Sequence, residues 1–382
     1  MPPITSYCLL CIDSPDLRRP PCRNTMSHTT DHDRPVAVMT AAQEGMLWGS
    51  LVSDALAMPA HWYYQRDAII RDYGVMGDYR TPTNPHPDSI LWRSHYEPLN
   101  DRGEILHEQA VFWGKRGIHY HQFLEAGENT LNAQLALMLA EQIKKQGGYI
   151  PSTFLEAYRD FMLTPGSHRD TYLEECHRRF FEAHARGRAL ERCGAVDGHI
   201  GGLFSVAPLV ALHKGSWPEL RKIVRQQVAW THRHEGVLKS AEVMARVLWA
   251  VHEGEPLREA VERHGNDFFS ARKASPWLHQ EDAVVMDRHF SAACYIEHAF
   301  PVTLYLAWKY ADDFEAGLMA NTHLGGDNCH RGMVMGAMIG AAVGKEGIPG
   351  PWIQELKAHQ ALAALTERTT GDAPMDHDRG SF

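Results

Sequence analysis

The sequence predicts an all-α fold built as one large helical domain. Three observations carry this reading. Between residues 37 and 365 apolar residues recur three and four apart, the spacing of one helix face. The segments with that spacing open on Pro, Ser, Thr or Asp and close on Gly or Pro, the usual punctuation of helices. Alternating stretches of the kind that form strands are scarce. The chain has 382 residues, 44% of them hydrophobic, enough to bury a substantial core.

Taken in order, residues 1–36 are rich in Pro, Arg, Asp, Ser and Thr without periodicity and read as a disordered tail, with Met26 and Met39 as alternative starts. A first helix fits residues 41–60 and ends at Pro59. Residues 126–148 begin with polar capping residues, run apolar and stop at Gly147 and Gly148. Residues 150–163 start with Pro151 and a Ser/Thr cap, and residues 170–187 run from Asp170 to Gly187. Further helices fit 203–213, 216–230, 236–253, 255–264, 281–297, 300–320, 330–344 and 351–366. Residues 366–382 read as a flexible tail, leaving 37–365 as the domain.

Small residues stand four apart twice, as Gly45, Gly49 and Ser53 and as Gly332, Gly336, Gly340 and Gly344. Such spacing makes a bare stripe along one helix face. Glycine inside a helix costs about 1 kcal/mol relative to alanine, so close backbone approach is the reason to keep it. The simplest arrangement packs two central helices at short distance, each the other's available partner.

The net charge is −9 and no long Lys/Arg run occurs, which excludes a surface for duplex nucleic acid but not a small-molecule pocket. The apolar runs 203–212 and 333–344 fall short of the roughly 18 residues of a membrane span, and no secretory signal opens the chain. Cys8, Cys11, Cys22, Cys176, Cys193, Cys294 and Cys329 form an odd, scattered set that reads as reduced and cytoplasmic. The CxxC pair Cys8 and Cys11, with Cys22 and His28 beyond, matches no strong zinc spacing.

Five polar stretches sit at the ends of apolar helices. They are Asp54 with His61, Trp62, Tyr63 and Tyr64; residues 117–132 with His119, His121, Glu128, Asn129, Thr130 and Asn132; residues 193–202 with Asp197 and His199; residues 230–236 with His232 and His234; and "GGDNCHRG" (325–332) with Asp327, Asn328, Cys329 and His330. Each has a plain explanation: capping for Asp54, Glu128–Thr130 and Asp327–Asn328, turn chemistry for Asp197–His199, solvated polarity for the histidines. Together they suit loops converging on one pocket.

The order of motifs resembles the ADP-ribosylglycohydrolase family. "GMLWGSLVSDALAMP" (45–59) is similar to the family's opening pattern, and "NTHLGGDNCHRGMVMGAMIGAAVGKEGIP" (321–349) to its closing loop and glycine-striped helix. The resemblance spans about residues 41–365 and implies an all-α domain. It also implies two magnesium or manganese ions, and cleavage of a glycosidic bond of ADP-ribose. The implied metal ligands are largely replaced. Of the TDDT-type motif Thr130 remains, followed by Leu131, Asn132 and Ala133; in the closing loop Asp327 remains, while Cys329 and His330 stand where an acid and a hydroxyl are expected. Magnesium prefers carboxylate and water oxygens. No cofactor is therefore expected, and zinc at the adjacent Cys329 and His330 would have poor geometry.

The reading is a divergent, metal-independent glycosidase acting on an N-glycosidic small molecule that is nucleoside- or ADP-ribose-like. Asp327 is the expected base or cation stabiliser, with Glu128, His330, His119 or His121 as acid and Asp54 and Asp197 as further carboxylates. Trp62 and Tyr63 would stack on a ring, and Asn129, Asn132 and Asn328 would hold hydroxyls, beside His61, Thr130, His199 and Cys329. The alternatives are the family's magnesium-dependent reaction, a non-catalytic binding or structural protein like the family's crystallins, and a lyase or isomerase on the same scaffold.

Overall fold

The computed structural model describes residues 39–366, and within them every named element is helical. They are α1 (Ala41–Ala57), α2 (Arg66–Tyr73), α3 (Leu131–Gln146), α4 (Pro151–Leu163), α5 (Glu175–Ala185), α6 (Val206–Leu212), α7 (Trp217–Ala229) and α8 (Glu235–His252). There follow α9 (Leu257–His264), α10 (Ala271–Ala274), α11 (Asp282–His289), α12 (Ile296–Lys309), α13 (Phe314–Leu324), α14 (Asn328–Val343), α15 (Gly350–Glu355) and α16 (His359–Thr366). Among the described residues there is no β-strand, only isolated bridges such as that of Ala195 with His232. The expected tails and the Cys8–Cys11 pair lie outside the described residues, apart from Thr366. Among the described residues no helix is long and apolar enough to cross a membrane.

The two glycine-striped helices, α1 and α14, pack against each other at the centre. A Cβ added to Gly45 would lie 1.9 Å from the Gly340 carbonyl oxygen, and one on Gly49 2.1 Å from that of Gly336. Neither Gly45 nor Gly49 tolerates a side chain at this seam, and the Ser53 side chain fits beside them because Gly336 faces it. Every residue of α14 from Asn328 to Ala341 is buried, as expected of a helix surrounded by others.

Several boundaries differ from the sequence expectation, each for a reason near the candidate site. Residues 126–130 stay outside α3, with Asp54 holding Asn129 and Thr130 just ahead of it. Residues 170–174 stay outside α5; Asp170 does not cap it. The segment 290–295, expected inside one helix over 281–297, leaves its carbonyls for other loops, Ala292 accepting from the Asp327 amide at 3.0 Å and Cys294 from the Ile200 amide at 2.9 Å. The expected helix 300–320 is two, because Asp313 caps α13 through the Ala316 amide at 3.0 Å. Residues 200–205 form a 3-10 turn ahead of α6, Met58–Ala60 form another after α1, and 351–366 is split between α15 and α16. The sequence reading missed the short helices α2 and α10.

Candidate active site

Asp54 lies near the end of α1 and is fully buried. Its Oδ2 accepts from the Thr130 amide at 2.8 Å and the Asn129 side chain at 3.0 Å, and its Oδ1 from the Thr130 hydroxyl at 2.6 Å. These bonds satisfy groups at the start of α3 that the helix itself leaves free. Burial raises the Asp54 pKa, and the donors from Thr130 and Asn129 oppose it.

Beyond α1 the chain turns through Trp62, whose φ of 61° is strained for a bulky residue. Two backbone hydrogen bonds tie this turn to the closing loop: Trp62 N–H to the Gly326 oxygen at 2.7 Å and Gly326 N–H to the Tyr63 oxygen at 2.6 Å. Gly325 and Gly326 take φ of 64° and 62° there, and a Cβ on Gly326 would lie 2.0 Å from the Ala292 oxygen. From behind, the buried Arg331 guanidinium donates to the Asn321 side chain at 2.7 Å and the Gly325 oxygen at 2.8 Å.

This turn and loop set up a buried chain of titratable groups. Asp170 Oδ1 bonds His121 Nδ1; His121 Nε2 lies 2.8 Å from His61 Nδ1; His61 Nε2 lies 3.0 Å from Asp327 Oδ1. The same Asp327 oxygen lies 2.8 Å from His330 Nδ1. Burial drives the His61 pKa far down and that of His121 to about 3, while it lifts Asp170 to about 7. The polarity of the chain follows. Asp327 as a carboxylate only accepts, so neutral His61 presents Nε2–H to it and accepts at Nδ1. His121 then donates from Nε2, and its Nδ1 accepts the proton that Asp170 holds. Burial alone would raise Asp327 and lower His330. Their mutual attraction, with His61 behind Asp327, reverses both: Asp327 falls below the usual carboxylate range and His330 rises to about 10.

His330 Nε2 points onward, 3.5 Å from Glu174 Oε1 and 2.8 Å from the Asn132 amide, whose other atom lies 3.1 Å from His177 Nε2. An amide can turn either a donor or an acceptor to each ring, so Asn132 accommodates the charge on His330. His61, Trp62, His121, Thr130, Asn132 and His330, with Leu131, Asp170, Tyr172, Glu174 and His177, line one cavity of about 20 Å³. That is room for about one water molecule. The Trp62 and Tyr172 rings meet edge to face at 5.4 Å on its wall. A wider groove of about 540 Å³ between α7, α8 and α9 is no competitor, because its Arg225 already bridges Glu235 and Glu242 at 2.7 Å each.

Of the residues expected from sequence, the structure brings six onto this cavity: His61, Trp62, His121, Thr130, Asn132 and His330. Asp327, Asp54 and His119 stand behind it, the last with Nε2 2.9 Å from the Pro59 oxygen. Asp327 has no exposed surface, so it reaches a ligand only through His61 and His330. Glu128 does not line the cavity; it pairs with Arg169 and accepts from the Glu125 amide at 2.8 Å. Tyr63 packs with Ala60, Ala68, Ile69 and Met76 and bonds Asp72. Asn129 and Asn328 spend their amides on backbone oxygens, of Leu51 at 2.8 Å and of Thr322 at 3.1 Å. Cys329 packs with Ala57, Met58 and Leu124. Asp197 and His199 pair with each other at 2.8 Å in a neighbouring cluster. Missed were Asp170, Tyr172, Glu174 and His177. Their signal was present in "DTYLEECH", three acids and a histidine within eight residues, read as a helix start.

The residues present do not fit a pair of magnesium ions. Leu131 and Ala133 offer no ligand atom, Cys329 is embedded among apolar neighbours, and both Asp54 oxygens are taken by Thr130 and Asn129. His61, Asp327 and His330 do bring three donor atoms within 4.8 Å of one another. Here both imidazoles face the same Asp327 oxygen, which His61 Nε2 already bonds at 3.0 Å.

Comparison with known proteins agrees with this architecture. The family model described as ADP-ribosylglycohydrolase matches residues 40–378. Crystallin J1A of Tripedalia cystophora is 23% identical over 343 residues, covering 84% of this chain and 93% of the crystallin. A solved structure described as an ADP-ribosylglycohydrolase-related protein complex superposes with a TM-score of 0.53 at 22% identity, covering 86% of this chain and 97% of the other. That likeness shows a shared fold.

Proposed function

This chain belongs to the ADP-ribosylglycohydrolase family, and on that premise we propose that it hydrolyses a glycosidic bond of a ribosyl-type small molecule without a metal ion in the reaction. One observation carries the proposal: Asp170 and Glu174, four residues apart, line the same cavity in different protonation environments. Burial raises both carboxyls, Asp170 to about 7 and Glu174 above its ordinary value, but only Glu174 has the His330 imidazolium beside it at 3.5 Å to oppose the rise and favour the carboxylate. Carboxyl groups with separated roles are what hydrolysis through an oxocarbenium-like state requires.

In the proposed step the bond from the sugar C1 to its leaving group breaks. Asp170 gives its proton to the leaving atom. Glu174 takes a proton from the water that attacks C1, leaving a free sugar. The chain His121–His61–Asp327 orients Asp170 from one side and His330 from the other, and a proton passes back from Glu174 to Asp170 to close the cycle. Asp327 is thus a positioning residue and not the expected base. Trp62 and Tyr172 offer aromatic faces to a base or sugar ring, and one or both must swing aside to admit it.

The test is release of reducing sugar from a panel of nucleosides and ADP-ribosyl compounds, with and without magnesium, by the wild type, Asp170→Asn and Glu174→Gln. The expected result is magnesium-independent turnover lost in both variants with unchanged melting temperature. Turnover that needs added magnesium, or full activity in Glu174→Gln, would overturn the mechanism. The likeness to a crystallin and the small size of the cavity favour a second reading, a non-catalytic member. It predicts no turnover of any compound and no shift of melting temperature with ADP-ribose.

A further inference from the structure

Behind the cavity wall lies a second cluster that the proposed reaction does not use. Cys176 is in the first turn of α5, Asp197 in the 193–199 loop and His232 in the turn between α7 and α8. The two loops are joined by the parallel bridge between Ala195 and His232, with Ala195 N–H to the Thr231 oxygen at 3.1 Å and Arg233 N–H to the Ala195 oxygen at 2.7 Å. Close approach is built in. A Cβ on Gly194 would lie 2.6 Å from the Ala229 oxygen, and one on Gly202 2.6 Å from the His232 ring.

The three side chains are 0%, 5% and 1% exposed, and a thiol sulfur, a carboxylate oxygen and an imidazole nitrogen lie within 4.8 Å of one another. Two of these groups each keep one buried atom without a partner. Asp197 Oδ1 accepts from His199, but Oδ2 is buried and unbonded; His232 Nδ1 lies 2.9 Å from the Thr231 hydroxyl, but Nε2 is buried and unbonded. A buried polar atom left without a partner costs free energy that a native structure normally avoids. The Thr231 contact lets Nδ1 carry the proton, which leaves the Nε2 lone pair free as a ligand.

We infer that Cys176, Asp197 and His232 form a binding site for one zinc ion, with water completing a tetrahedron. Thiolate and imidazole select zinc over magnesium or calcium. Tetrahedral zinc, at about 2.0–2.3 Å from each ligand, requires donors roughly 3.3–3.7 Å apart. The three donor atoms, within 4.8 Å of one another, close to that range with a shift of under about 1 Å per side chain. Binding converts the Cys176 thiol to thiolate and releases its proton. The ion ties the first turn of α5 to both loops and so fixes the segment from Glu174 to His177 that lines the cavity.

The test loads purified full chain with zinc, removes free metal and measures zinc per chain by mass spectrometry. Cobalt loading is followed by absorption. One zinc per chain is expected in the wild type and in His330→Ala, and loss of most of it in Cys176→Ala and His232→Gln. The cobalt form should show a thiolate charge-transfer band in the first two proteins. Less than a tenth of an equivalent in the folded wild type, or a cobalt spectrum without that band, overturns the site even if the variants misfold. Zinc lost in His330→Ala but kept in Cys176→Ala also overturns it, moving the ion to the cavity.

Discussion

The two ends of α14 use the same buried helix in opposite ways. Along its C-terminal part, Gly336 and Gly340 remove side chains so that the α1 backbone can press against it, with Cβ positions about 2 Å from facing oxygens. In its first turn, Asn328, His330 and Arg331 crowd polar groups into the same core, where Asn328 bonds the Ala60 oxygen, Arg331 bonds Asn321 and His330 pairs with Asp327. The seam needs one neighbour and one residue type. The first turn needs α1's following turn, the loop before α3, the segment before α5 and α13 in place together. Rigidity at the seam is what lets a charged cluster be held without water.

Four measurements sharpen or break this contrast. The largest effect belongs to the polar end. Glu174→Gln should lower turnover of whichever glycoside is hydrolysed by roughly 10²–10⁴-fold, the usual weight of a general base, while the thermal midpoint stays put. A parallel loss of stability would mean that the polar turn is structural.

Second comes pH. Asp170 is raised in the folded state to about 7 from an ordinary value of 3.8, so its protonated form is favoured by folding. The stability it contributes is full below the unfolded value and is lost as pH rises through about 7. As the proposed acid, its loss of a proton should lower kcat about tenfold per pH unit above that point. His330, raised from 6.5 to about 10, keeps its contribution below pH 6.5 and loses it as pH climbs through about 10. Denaturant titrations and rates across pH 4–10 separate the two. A flat kcat profile between pH 6 and 9 would remove Asp170 from the acid role.

Third, Gly336→Ala should cost 1–3 kcal/mol or more by overpacking, because its Cβ would meet the Ser53 hydroxyl at 1.8 Å. Gly350→Ala, with nothing within 4 Å, is the matched control and should change little. Urea denaturation reads both, and equal midpoints would break the account of the seam. The smallest effect is at Glu128. Its ion pair with Arg169 is half in solvent, so Glu128→Gln should move stability by less than about 1 kcal/mol and leave turnover within about twofold.

The same contrast explains what the sequence made legible. The seam is local information: Gly45, Gly49, Gly336 and Gly340 announce their purpose by spacing alone. His61, His121, Thr130, Asn132 and His330 were also recognisable, because each sits in a polar loop between apolar helices. Their roles were not. Asp327 looked like the base, but its partners are His61, 266 residues earlier, and His330, and between them they seal it from any ligand. Asp170 and Glu174 were overlooked because "DTYLEECH" satisfies the pattern of a capped helix, and only the fold shows that residues 170–174 are held as a loop ahead of α5. Asn129 and Asn328 read as ligand-binding amides, whereas Asn129 spends its amide on the Leu51 oxygen and Asp54 within α1, and Asn328 on the Thr322 oxygen in the last turn of α13.

The seam also sets a timetable. α1 and α14 are separated by nearly three hundred residues of chain. At about 5–20 residues per second on the ribosome, tens of seconds pass between the emergence of the first helix and that of its partner. Throughout that interval the Gly45–Gly49 face of α1 waits open while everything that will later surround it is being made. The core of this protein is therefore completed from its last third, and a chain cut short before α14 leaves the synthetic machinery with its central helix unclaimed, a natural substrate for chaperone capture.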